Sequence, residues 1–144
     1  MPPLETVFSF STFIAMFGWI LLVVVPADFR AKLLTGIIIP LTLSAIYLAF
    51  IFLHFADAPG GFGSLAEVKT LFGKDELLLA GWVHYLAFDL FIGAWESRDS
   101  QRLGIPRLVM IPCYVMTFML GPIGLLFYFA IRTAKTKTLE MEAA

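Results

Sequence analysis

The stretch Leu77–Trp95, LLLAGWVHYLAFDLFIGAW, decides the fold. It carries only two side chains that ionise near neutral pH, His84 and Asp89. A helix that spans a bilayer needs roughly 20 predominantly apolar residues, and this run meets that length. Working outward, three more runs qualify: Val7–Pro26, Leu33–Phe55 and Ile105–Ile131. The first two carry no Asp, Glu, Lys or Arg; the second holds Pro40 and His54. The last has Arg107 near its start and is followed by Arg132. Apolar residues make up 60% of the chain and charged residues 15%. A soluble domain runs nearer about 45–50% and about 25%, so the surplus apolar surface belongs in lipid. The expectation is an all-α integral membrane protein, a single transmembrane domain over residues 1–144. Its spans fall at about 7–26, 33–55, 77–95 and 105–131.

The connections set the arrangement. Ala27–Lys32 and Glu96–Gly104 are short. The middle one, Ala56–Glu76, opens with the breaker cluster Ala58–Gly63 and continues as a predicted short helix, Ser64–Phe72. Ser64 and Glu67 form a capping box there. Leu65, Val68, Leu71 and Phe72 share one face, which suits a helix lying in the headgroup plane or an ordinary connector. Short loops make successive helices antiparallel neighbours, so the expected fold is four transmembrane helices in an up-down bundle, with this interfacial helix between the second and third. With four crossings the Lys and Arg divide evenly. Arg30, Lys32, Arg98, Arg102 and Arg107 lie on one side, and Lys69, Lys74, Arg132, Lys135 and Lys137 on the other. Orientation therefore stays open.

Other classes fall away quickly. A net charge of −1 leaves no basic surface for nucleic acid. The expected partners are membrane lipid, a lipophilic small molecule, and a membrane protein or second copy. Cys113 is the sole cysteine, which excludes an internal disulfide and a CxxC motif. Two histidines are too few for histidine-rich di-iron chemistry, and no metal site is expected. Met1–Thr6 contains Glu5 and no Lys or Arg, so the first run reads as a retained helix rather than a signal peptide. No presequence rich in Arg and Ser precedes it, and the expected location is a prokaryotic cell membrane.

Ionisable groups inside a span cost several kcal/mol on insertion scales and turn toward a bundle interior. On the third run Asp75, Trp82, Asp89 and Glu96 recur every seven residues and share a face with Tyr85 and Gly93. His84 lies roughly 140° around the helix from Asp89, with Phe88, Phe91 and Trp95. Asp89, deep in the run, reads as a proton donor or base, or as a buried carboxylate bonded to Ser, Thr or Tyr. Asp75 and Glu96 flank the span and also suit an interface. His54 lies in line with Pro40 and Tyr47. An up-down topology places His54 and His84 in one half of the membrane, where they can be read as axial ligands of a haem. In the fourth run, Gly121-Pro-Ile-Gly124 predicts a kink, since Pro122 lacks a backbone donor. Gly121 and Gly124 permit close approach of a helix or a flat ligand.

The run Trp82–Phe91 resembles the abscisic-acid-deficient-four-like family. The matching pattern is Trp-x-His-x-Leu-x-x-Asp-Leu-Phe, filled here by Trp82, His84, Leu86, Asp89, Leu90 and Phe91. Pro122–Gly124, Leu71-Phe72 and the expected four-span layout resemble it too. The resemblance implies a role in carotenoid or isoprenoid metabolism, since plant members take part in forming neoxanthin. That reaction opens an epoxide and removes a proton from carbon to give an allene. It is an isomerisation and implies no cofactor. The resemblance then implies Asp89 and His84 as the acid and base. Trp82, Tyr85, Phe88 and Trp95 would pack the polyene, with Glu96, Gly121 and Gly124 completing the substrate site. Two other readings stay open: a non-enzymatic membrane partner or carotenoid-binding protein, and the haem-binding redox protein.

Overall fold

The computed structural model describes residues 2–25 and 29–138. The expected end of the first run at Pro26 and the loop start at Ala27 lie outside the described residues, as does Met1. The order is α1 (Leu4–Val24), α2 (Phe29–Leu33), a π-helical turn (Leu34–Ile38), α3 (Ile39–His54), α4 (Leu65–Leu71), α5 (Asp75–Arg102), α6 (Arg107–Leu120) and α7 (Pro122–Thr136). Among the described residues, three helical stretches are long and apolar enough to cross a membrane: Leu4–Val24, Arg30–His54 and Asp75–Arg102.

Helix α5 is the axis of the fold. Its 28 residues reach about 42 Å at 1.5 Å each, enough for the hydrocarbon layer and both headgroup zones. Val83 and Leu90 on it are fully buried. Small residues bring α1 close: Gly18 lies against Leu90 and Ile39, and Gly93 against Trp19. Phe8 meets Trp82 near the start of α5, and Trp19 meets Gly93 further along, so α1 runs parallel to α5. Helix α3 runs the other way, with Gly36 beside Arg98, Tyr47 beside His84, and the His54 carbonyl accepting from Lys74. The π turn ends two residues before Pro40, whose missing N–H would leave a gap in a regular ladder.

Two expectations change at the ends of the runs. The capping interactions of α4 are offset by one residue: Ser64 Oγ accepts from Glu67 N at 3.2 Å, but the Glu67 carboxylate accepts from Gly63 N at 3.1 Å. The predicted loop Glu96–Gly104 is mostly helix, because Glu96, Ser97, Asp99 and Ser100 are buried on α5 and find partners there.

The expected fourth span, 105–131, is not one helix. It breaks at Gly121, with φ +48° and ψ −102°, a conformation that L side chains rarely adopt. Pro122 then starts α7. The two halves fold against each other: Gly124 sits directly on the Thr117 backbone. Partners on α5 give the direction. Gly121 lies at Asp89, Tyr128 at Trp95, and Arg132 at Asp99, so α7 ascends α5 toward its C-terminus. Helix α6 descends from that same end.

Candidate functional site

The tip of the α6–α7 hairpin rests on Asp89. A Cβ placed on Gly121 would lie 3.2 Å from Asp89 Oδ1 and 3.4 Å from Oδ2, so glycine lets the turn approach the carboxyl. Tyr85, one turn before, donates its hydroxyl to the Phe118 carbonyl at 2.7 Å. That carbonyl is the one Pro122 leaves without an i+4 donor, so Tyr85 repairs the break the proline makes. The Tyr85 hydroxyl also lies beside Asp89. Asp89 Oδ2 is buried and has no hydrogen-bond partner among the described residues. A buried carboxyl oxygen without a partner is costly, and such sites call for an explanation.

Below the tip, the same face of α5 is partly exposed. Leu78, Trp82, Tyr85 and Asp89 follow one another at four, three and four residues, a single stripe. Trp82 remains 39% exposed although its Nε1 donates to Thr12 Oγ1 at 3.2 Å. Leu78 and Trp82 line a groove of about 430 Å³ with Leu4, Glu5, Phe8 and Asp75. The groove thus runs along the start of α1 and α5 and ends at Trp82, about 10 Å along the helix before Asp89.

The remaining predicted residues divide among three places. Glu96 is fully buried above Asp89, where Thr117 Oγ1 lies 3.0 and 3.1 Å from its two carboxyl oxygens. Gly124 abuts that threonine's backbone and hydroxyl. Trp95 packs edge-on to Tyr128 at 5.4 Å and stacks on Phe129 at 5.6 Å, so it fastens α7. His84 is exposed toward α3, with Tyr47 at 5.5 Å and Phe88 at 4.6 Å. Asp89 and His84 are therefore not brought together; five residues of helix turn them to different faces.

The two histidines have separate surroundings. His54 packs on Phe50, while His84 packs beside Tyr47, seven residues and about 10 Å earlier along α3. No group of three or more His, Cys, Asp or Glu that could hold a metal occurs among the described residues.

One cluster escaped the reading of the sequence. Asp99 accepts from Tyr128 Oη at 2.7 Å, from Arg132 Nε at 2.9 Å and from Arg102 at 2.8 Å. Arg132, which follows the expected fourth run, is fully buried. The i,i+4 spacing of Tyr128 and Arg132 puts both on one helix face, and that face meets an acid within the expected loop Glu96–Gly104.

A family model described as ABA DEFICIENT 4-like matches residues 6–128. No curated protein and no solved structure matches the chain. The expected prokaryotic cell membrane gains no support from the family match. The matched span takes in α1, the long axis of α5, the Asp89 face and the hairpin turn at Gly121. The chain belongs to the ABA DEFICIENT 4-like family.

Proposed function

We propose that the chain is a membrane enzyme of carotenoid or related isoprenoid metabolism that isomerises an oxygenated end group by proton transfer at Asp89. Family membership supports the metabolic setting, as a carotenoid- and neoxanthin-related membrane protein. The observation that carries the chemistry is the unpartnered Asp89 oxygen at the tip of a broken helix. A lipophilic substrate lying along Leu78 and Trp82 would bring its polar end to that oxygen. Asp89 gives its proton to an epoxide oxygen as the C–O bond breaks. The carboxylate so formed takes a proton from carbon as the new double bond forms. Atoms and electrons balance without an oxidant, and Asp89 returns to its first state. Tyr85 donates to Phe118, so its oxygen lone pairs can hold a protonated Asp89 or a substrate hydroxyl.

A second reading draws on the α3–α5 face. A groove of about 340 Å³, almost wholly apolar, is lined by Gly36, Pro40, Ser44, Ala87, Phe88 and Phe91. Phe88 joins it to His84. In that reading the chain is a non-enzymatic carotenoid-binding protein or membrane partner, and His84 is part of its binding face. Asp89→Asn and His84→Ala in a pigment-producing host separate the two, with product formation and protein abundance measured together. The enzyme reading predicts lost product at normal abundance for Asp89→Asn. Unchanged product per molecule in that variant would reject it.

A further inference from the structure

The hairpin changes the count of crossings. Helices α6 and α7 have 14 and 15 residues, each about 21–23 Å long, which is short of the roughly 30 Å hydrocarbon layer. Both have their outer ends beside the C-terminal end of α5. Arg107, starting α6, donates to the carbonyls of Leu22, Val23 and Val25 at the close of α1. Arg132, late in α7, binds Asp99. The tip stops at Asp89, near the middle of α5. A turn of this kind is tolerated at membrane depth when it is buried in protein, and Gly121 is buried.

Charge then sorts by side. Arg30 and Lys32 begin α2 at this end. Arg98 and Arg102 close α5, Arg107 opens α6, and Arg132, Lys135 and Lys137 finish α7. Only Lys69 and Lys74, out of 10 Lys and Arg, lie at the opposite end. An even division under four crossings becomes eight against two. Lys and Arg bias toward the side from which a chain is inserted, where anionic headgroups also attract them.

We infer that α6–α7 is a re-entrant hairpin, that the chain crosses the membrane three times, and that its basic end, carrying the close of α7, faces the cytoplasm. The start of α1 and the α4 connection face the opposite side. The groove under Trp82 then opens toward that opposite leaflet, which is where a lipophilic substrate would enter under the proposed function. The topology itself does not depend on that function.

Single cysteines test it in the full chain expressed in a bacterial inner membrane. Cys113, fully buried, is first replaced by Ser. Ala66→Cys reports the α4 side, Gln101→Cys the α5 end, and Lys137→Cys the α7 end; all three positions are exposed. A membrane-impermeant maleimide is applied to spheroplasts before and after permeabilisation. Ala66→Cys is expected to label at once, and the other two at least tenfold more after permeabilisation. Labelling of Lys137→Cys together with Ala66→Cys, with Gln101→Cys protected, would restore a fourth crossing and overturn the hairpin. Labelling of Gln101→Cys and Lys137→Cys alone would overturn the orientation. Thr70→Cys, Arg102→Cys and Lys135→Cys give the same readings should a first variant fail to accumulate.

Discussion

Gly124 packs directly on the backbone of Thr117, seven positions before it, and that threonine's hydroxyl in turn bonds the buried Glu96. A single missing side chain thus lets α7 lie on α6 while α6 remains fastened to α5.

Gly124→Ala is expected to force the two helices apart. Overpacking a tight contact costs about 1–3 kcal/mol, and here the obstacle is backbone that cannot rotate aside. Thermal unfolding in detergent should show a midpoint several degrees lower. An unchanged midpoint would mean that the hairpin does not pack as described.

The Asp99–Arg132 pair makes a second prediction. Both side chains are buried, and removing Arg132 leaves Asp99 only Tyr128 and the exposed Arg102 as partners, while removing Asp99 leaves the buried Arg132 guanidinium without its carboxylate. Arg132→Met should cost about 3–5 kcal/mol. Asp99→Leu combined with Arg132→Met should cost much less than the sum of the two single changes, because neither charge is then stranded. A double-mutant cycle measured by unfolding in detergent reads this coupling, and additive costs would refute it.

Tyr85→Phe removes the hydroxyl that repairs the Phe118 carbonyl. Leaving that carbonyl unsatisfied should lower stability by about 1–3 kcal/mol. The same change should reduce product per molecule under the proposed function, since the hydroxyl also lies beside Asp89. Stability lost without any change in product per molecule would confine Tyr85 to repair of the helix break.

His84 and Asp89 should separate in effect. General acid–base groups contribute roughly 10²–10⁴-fold, so Asp89→Asn should reduce turnover by about that range. His84→Ala, on the face toward α3, should reduce it less than about tenfold. Turnover of an epoxide-bearing carotenoid by purified protein in lipid is the measurement. Equal losses would place both residues in one reaction centre.

The sequence by itself determined the class of this protein and most of one surface. Run length and apolar content sufficed for the helices that contain α1, α3 and α5, which are long and apolar enough to cross a bilayer. The 100° step of a helix placed Trp82, Tyr85, Asp89 and Glu96 on one face and turned His84 away. Gly121 and Pro122 announced a break in the fourth run. How far the chain turns at that break was decided only in three dimensions. A kinked span and a reversed hairpin share the same local signals; Gly124 meeting Thr117 and Arg132 meeting Asp99 distinguish them, and both are contacts between segments. For the same reason Glu96 reads as an interfacial residue, Asp99 as part of a loop and Arg132 as the close of a span until their partners Thr117 and Tyr128 are in place. A charged residue's burial follows from the partner that compensates it, and sequence position does not name that partner.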